Sequence, residues 1–358
     1  MVENSRLRAA IIGLGRMGAE PSSRLGKMSN GWSPVSHAES MVSLPEYELA
    51  GLCDIDPERV ARFQELYSVA HGFTDYKKLI DTIQPDVISI ATRTNLKEEI
   101  IRYAAQNGVS GIYVEKPLAT SISQCQEILE IVKQAGIKLI YGTQRRGMPF
   151  FRKAKEMAYS GQWGKVQSVQ FEYGASLLLW TLPHLTDLIT YYTDCSTLAS
   201  ISAHCEFKKA YIPETTFIDE DPTIHSADIT MQNGIRAILT PGKGANIRIH
   251  LEIGVINING DGYSIETHTA GEYIGKLTEI QRAYAPESKS GTQLLFADLA
   301  QAVKQNQAVT LGSYAEILGS TELLMGMVES GLQNGARIKL AAIRKNLTVT
   351  GRFGDLLA

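Results

Sequence analysis

A glycine turn set directly behind an apolar strand leaves a chain few folds to adopt. Here Gly13-Leu14-Gly15-Arg16-Met17-Gly18 follows the strand-like run Leu7 to Ile12. In such a turn the first glycine makes the bend, the second lets backbone approach a pyrophosphate, and the third lets helix and strand pack closely. The helix expected next offers free N–H groups to phosphate. Taken alone the turn is weak, because glycine-rich turns open many helices. A second strand-like run, Glu48 to Cys53, ends on Asp54 with Ile55 beside it. The Asp54 carboxylate suits the hydroxyl pair of a ribose and repels a 2′-phosphate, which points to NAD over NADP; the plainer reading is a solvent-exposed aspartate at a strand end.

The spacing is irregular. Asp54 follows Gly18 by 36 positions, against about 20 in an unmodified unit, so about 16 residues are extra. They lie within Ala19 to Ser36, where Pro21, Pro34, Gly26, Gly31 and several serines interrupt any helical pattern. Two readings stand: a surface insertion, or a loop at the mouth of the cofactor or substrate site with Arg24, Lys27 or Trp32 reaching inward.

Downstream, strands and helices alternate. A helix starts near Pro57, a short segment surrounds Phe73, and a helix covers Lys77 to Ile83. The buried-strand run Val87 to Ala91 is followed by a helix from about Leu96 to Gln106, a strand Gly111 to Val114, a helix behind Ser121, and a strand Lys138 to Tyr141. Ser121 and Gln124 have capping-box spacing. This order predicts a Rossmann-like α/β domain, a parallel sheet covered by helices, with ligands at the strands' carboxyl ends. Past about residue 145 a helix at Phe150 to Ser160 precedes near-consecutive strands at Val166–Tyr173, Ala199–Cys205, Ala227–Met231, Ile235–Thr240, Ile247–Ile258 and Ser264–His268. Helices at Thr292–Gln305 and Tyr314–Asn334 follow. That is the pattern of an α+β domain with an open, mainly antiparallel sheet. We expect a dinucleotide-binding domain over 1–142 and a substrate and oligomerisation domain over 143–358.

Composition narrows the partners. A net charge of -3 over 358 residues, with 44% hydrophobic and 20% charged, gives no basic footprint for nucleic acid or anionic membrane, so a small-molecule substrate is expected. The four cysteines form no C-x-x-C pair and no metal-ligand set, as in a reducing compartment. Met1 to Ala10 lacks the apolar core of a leader or anchor, so the expected location is cytoplasmic.

At the end of the fifth strand stands Glu115-Lys116-Pro117-Leu118. Together with Gly13 to Gly18, Cys53-Asp54-Ile55-Asp56, Ile90-Ala91-Thr92 before Asn95-Leu96, and His184-Leu185-Thr186-Asp187, it makes the chain resemble the Gfo/Idh/MocA oxidoreductases, the glucose-fructose oxidoreductase and inositol dehydrogenase group. The resemblance covers most of the length, and the order of motifs carries it. It implies a nucleotide site built from Gly13, Gly15, Arg16, Met17, Gly18, Asp54, Ile55, Thr92, Asn95, Glu115 and Lys116, and an open sheet that packs in a homodimer or homotetramer. It further implies that Lys116 and His184 are catalytic. An ammonium near the reacting oxygen stabilises charge that develops as hydride moves, and an imidazole suits proton exchange near neutral pH. Pro117 would fix the backbone direction of the lysine, through a cis bond if that isomer forms.

The chain departs from the family pattern. An aspartate is usual four residues before the histidine, and here that place holds Trp180. The indole could pack on a sugar ring or on nicotinamide, or could simply be core beside Leu177, Leu178, Leu179 and Leu182. Arg93 and Lys97 replace a usual proline and histidine, which predicts an altered nicotinamide side of the pocket. Arg145 or Arg146 could hold a substrate carboxylate or phosphate bidentately, or form a solvated face. Asp187 is read as an orienting group, and Trp32, Trp180 and Asp187 join the arginines as candidate substrate contacts. The reading is an NAD(H)-dependent oxidoreductase of a secondary alcohol or ketone in a sugar, cyclitol or derivative. Its alternatives are a dinucleotide-binding regulator without turnover and a same-fold reductase of a non-sugar substrate.

Overall fold

The computed structural model describes residues 6–24, 32–269, 276–282 as backbone, and 289–351. Its first sheet uses β1 (Leu7–Ile12), β2 (Tyr47–Cys53), β3 (His71–Phe73), β4 (Val87–Ile90), β5 (Gly111–Val114) and β6 (Lys138–Tyr141) in the order β3-β2-β1-β4-β5-β6, all parallel. The order reverses between β1 and β4, and the crevice outside their carboxyl ends is where such sheets bind ligands. Helices α1 (His37–Ser43), α2 (Pro57–Tyr67), α3 (Tyr76–Ile83), α4 (Thr94–Gln106) and α5 (Ile122–Gln134) cover it. Both faces are buried, so the strands are almost unbroken apolar runs such as the wholly buried Val87–Ile90.

Behind β6, α6 (Pro149–Ala158) leads into β7 (Val166–Glu172), β8 (Ser176–Leu177), α7 (Leu182–Thr193), β9 (Leu198–Glu206), β10 (Phe217–Ile218), β11 (Thr223–Met231), β12 (Arg236–Thr240), β13 (Asn246–Leu251), β14 (Gly254–Asn259), β15 (Ser264–Thr269) and β16 (Lys276–Arg282). The helices α8 (Gly291–Gln305) and α9 (Tyr314–Leu332) and the short β17 (Ile338–Lys339) and β18 (Thr348–Val349) follow. The large sheet runs β16-β15-β14-β13-β7-β12-β11-β9-β17, with β8 on β11; every pairing is antiparallel except β12 with β7. One face alternates buried residues such as Ile224, Ala227, Ile229 and Met231 under α7 and α9. The other presents polar side chains such as Ser226 and Asp228.

Three expectations need correction. The run Ile247–Ile258 is a hairpin, turned at Glu252 and Ile253. Its buried positions change from odd (247, 249, 251) to even (254, 256, 258) across that turn, a parity change that an uninterrupted strand cannot have. At α5 the Ser121 hydroxyl accepts from Gln124 N at 3.2 Å, but Gln124 Oε1 accepts from Thr120 N at 2.9 Å, so the reciprocal half of the capping box is displaced by one residue. Finally, no long helix follows the glycine turn. Residues 15–19 make one turn, closed by Ala19 N donating to Gly15 O at 3.0 Å, and α1 starts only at His37.

Candidate active site

The three glycines divide the work as the spacing predicts. Gly13 takes φ +93°, and a Cβ there would lie 2.8 Å from the Ala91 carbonyl oxygen; at Gly18 it would lie 1.9 Å from Gly13 O. At Gly15 it would meet nothing within 4 Å. Two glycines therefore serve turn and packing, and the middle one leaves bare backbone facing an open cradle. Among the described residues none accepts a hydrogen bond from the amides of Gly15, Arg16, Met17 or Gly18, a donor set fit for a pyrophosphate. Beside it, Asp54 at the end of β2 is held by Leu14 N (2.7 Å to Oδ2) and Asp56 N (3.0 Å to Oδ1). Arg59 Nη1 stands 4.0 Å from Asp54 Oδ2. Ile55, 88% exposed, projects next to it. Thr92 lies half-buried beyond β4, and Asn95 is exposed on the first turn of α4.

The extra segment is spliced into a helix. His37 N donates to Met17 O at 2.8 Å and Ala38 N to Gly18 O at 3.0 Å, so α1 continues the hydrogen-bond ladder of the 15–19 turn as if nothing intervened. The N–H groups of His37 and Ala38 are thereby taken, and the free amides are those of the turn itself. Trp32 does reach inward: the Arg145 guanidinium lies 4.9 Å from its ring centre. Arg24 instead pairs with Glu20 at 3.2 Å and is exposed, and Lys27 lies outside the described residues.

Lys116 extends from β5, behind a cis peptide to Pro117. Its Nζ donates to the Trp180 carbonyl at 2.6 Å and lies 4.8 Å from the indole centre. Burial pushes the Lys116 ammonium below the ordinary lysine range. Glu115 and Asp221 oppose that shift, and Arg145 and Arg16 add to it. Lys97, fully buried on α4, donates to the carbonyls of Glu115 and Pro117, the two residues flanking Lys116. Burial lowers Lys97 to about 7, against the pull of Glu115. On its other side Glu115 Oε1 meets His37 Nε2 at 3.1 Å, while His37 Nδ1 meets the Ser89 hydroxyl at 2.5 Å. Burial alone would raise Glu115; the His37 hydrogen bond and the Lys116 and Lys97 charges hold it below the usual carboxylate range. His184, on the first turn of α7, is pushed well below the usual imidazole range by burial, then by Arg145 and Lys116. It is therefore neutral, and its Nδ1 has no hydrogen-bond partner among the described residues.

The neighbouring arginines part company. Arg145 makes a bidentate pair with Asp261 (2.7 Å and 2.7 Å) between Trp32 and Tyr173, and its charge reaches both Lys116 and His184. Arg146 turns away. It clamps Asp187 at 2.9 Å and 3.1 Å, pairs with Glu316 at 2.7 Å and stacks on Tyr191, with its own side chain 3% exposed. Arg146 and Asp187 thus use their polar groups on each other and tie α7 to α9. Trp180 is not core: it is 47% exposed, whereas Leu178, Leu179 and Leu182 are buried. Sequence reasoning missed His37, Asp221 and Asp261. His37 carries a signal only once the helix is known to resume there. Asp221 sits in the acidic run Asp219-Glu220-Asp221, which reads as a solvated face.

Comparison with known proteins agrees with this geometry. Residues 7–143 match the model of an oxidoreductase family with an NAD-binding Rossmann fold. The myo-inositol 2-dehydrogenase of Thermotoga maritima is 26% identical over 159 residues, 44% of this chain and 42% of that protein, so the match spans about two fifths of the relative's length. The aldose-aldose oxidoreductase of Caulobacter crescentus, complexed with glycerol, superposes with a TM-score of 0.75 at 18% identity over 94% of this chain and 100% of that one. A levoglucosan dehydrogenase in complex with NADH and levoglucosan gives 0.73 at 17% identity, again over 94% and 100%. Both superpositions show the fold.

Proposed function

We propose, from the premise that residues 7–143 belong to the Gfo/Idh/MocA oxidoreductase family, that this protein is an NAD(H)-dependent oxidoreductase of a secondary alcohol or ketone in a sugar, cyclitol or derivative. The observation that carries the reading is Lys116, just beyond the carboxyl end of β5 and seated on the Trp180 carbonyl, with the charge of Lys116 felt by a buried His184 on α7 whose Nδ1 has no partner among the described residues, beside an open glycine cradle.

The amides of residues 15–18 would hold the pyrophosphate and Asp54 the ribose hydroxyls, while Ile55 offers an apolar face to the adenine side. Asp54 in this place favours NAD over NADP. Bound NAD(H) supplies the hydride acceptor or donor. The chain's own task is charge and proton. Lys116 Nζ, aimed by one N–H on the Trp180 carbonyl, donates another to the substrate oxygen and stabilises negative charge there. His184, kept neutral by burial and by Arg145 and Lys116, accepts the hydroxyl proton in oxidation and returns it in reduction. Trp180 offers an exposed ring face to a sugar, and Trp32 and Arg145 wall the far side. The polar open face of the large sheet is the surface proposed for a homodimer or homotetramer.

A panel of polyols and keto-sugars, with nicotinamide reduction followed over time, tests the reading. Lys116→Ala is expected to lower kcat by about 100-fold or more with nucleotide Kd within about threefold of wild type; undiminished turnover in K116A overturns it. One observation favours the regulator: the Trp180 carbonyl takes one of the three N–H donors of the Lys116 ammonium. Tight nucleotide binding without redox change on any substrate would establish that alternative.

A further inference from the structure

We propose that Asp221 supplies the carboxylate that the lysine–acid–histidine set lacks at Trp180, acting as a positioning residue on Lys116 through the Leu179–Trp180 backbone. The proposal rests on the reading that Lys116 serves the reaction. In the stretch before β11, Asp219 is an exposed partner of Lys209 and Tyr211. Glu220 and Asp221 are buried, at 7% and 8% exposed. Glu220 accepts the amides of Lys208 and Lys209 and closes its own loop. Asp221 faces the site: its Oδ1 accepts from Leu179 N at 2.7 Å, and the carbonyl of Pro222 accepts from Leu178 N at 2.9 Å. With Thr223 paired to Leu177 and Ile224 to Ser176, residues 176–179 are fastened to residues 221–224 along their whole length.

The next carbonyl, that of Trp180, is the one that accepts from Lys116 Nζ. A carboxylate therefore stands one residue behind the acceptor that aims the ammonium, and its charge favours the protonated lysine. The groups facing Lys116 set how much that matters. Burial, Arg145 and Arg16 favour loss of its proton, and Glu115 with Asp221 favours retention; the neutral His184 on α7 and the buried Lys97 on α4, whose value is about 7, complete the surroundings. An acid four residues before His184 would occupy the place of Trp180. With the charge arriving from another element, that place is open to an exposed ring.

The test reads the Lys116 proton without turnover, so it stands apart from the fate of the proposed reaction. The pH dependence of Lys116 acetylation by trace acetic anhydride, followed by mass spectrometry of the whole protein after digestion, is compared in wild type, D221N and D221E. Asn keeps an oxygen for Leu179 N and removes the charge. The expected midpoint for Lys116 in D221N is lower by about one pH unit, with D221E restored towards wild type and the thermal midpoint little changed. On any substrate that is turned over, kcat should fall and its pH profile move with the midpoint, while KM for nucleotide stays. An unchanged Lys116 midpoint in folded D221N overturns the proposal. If D221N does not fold, D221S, which also removes the charge, is read in its place: a lowered Lys116 midpoint supports the role, and an unchanged one rejects it.

Discussion

Lys97 is an ammonium with no access to solvent, and its donors go to two backbone carbonyls instead of a carboxylate. Such a group has a cost that depends on pH. Its folded-state value is about 7 and its ordinary value 10.5, so between those limits the unfolded chain binds the extra proton and stability rises with pH. The contribution is complete above the unfolded value and is lost as pH falls through the folded one. Relative to Lys97→Met, which cannot titrate, wild type should therefore gain in thermal midpoint as pH is raised from about 6 to about 9; paired melts at several pH values check this, and a constant difference would show that Lys97 keeps its proton. Adjacent residues show what could be read beforehand. Glu115, Lys116 and Asp54 were legible because strand ends place them. Arg145 and Arg146 look alike in sequence, and only the backbone turn at 144–147 sends one to Asp261 and the other to Asp187.

Among the elements, α1 departs most from simple expectation. The helix that should follow Gly18 is present in two pieces, and the ladder bonds from His37 to Met17 and Ala38 to Gly18 rejoin them. His37 occupies the place that residue 21 would hold in an uninterrupted helix. Removing residues 21–36 and joining Glu20 to His37 should then restore one continuous helix with His37 still on Glu115. We expect cooperative unfolding and, on the proposed function, nucleotide binding within about threefold of wild type and a substrate KM raised about tenfold, because Arg145 loses its Trp32 stack. Calorimetry and nucleotide titration decide it, and failure of the shortened chain to fold would show that the segment holds the helix together. Spacing alone revealed that extra residues were present and roughly how many. Their point of entry needed the ladder, since a proline- and glycine-containing stretch cannot show which carbonyls its flanks will meet.

Over the whole molecule, the two sheets are not independent. Helix α8 belongs late in the sequence but packs on β5, β6 and α1, and Leu295, Phe296, Leu299 and Ala300 share one core with Leu7, Ala9 and Ile11. The Tyr47 hydroxyl closes the junction by donating to Phe296 O at 2.7 Å. Each large buried side chain contributes about 2 kcal/mol, so the three of α8 match much of the roughly 5–15 kcal/mol by which a domain is stable. Residues 1–143 expressed alone should accordingly show no sharp thermal transition and should bind a hydrophobic dye; a cooperative melt would show that the sheet closes its core without α8. Among the described residues no helix is long and apolar enough to cross a membrane. Periodicity, glycine spacing and strand-end charges determined from sequence the alternating half, the strand-rich half and the open glycine turn at the strands' carboxyl ends, because each of these is a local consequence of side-chain pattern. The tertiary structure alone decided that α8 returns to the first sheet, that His37 and Lys97 hold Glu115 and its neighbours, and that Asp221 stands behind Trp180. Those are contacts between groups far apart along the chain, and which of many buried or acidic residues meet is set by packing rather than by any short-range pattern.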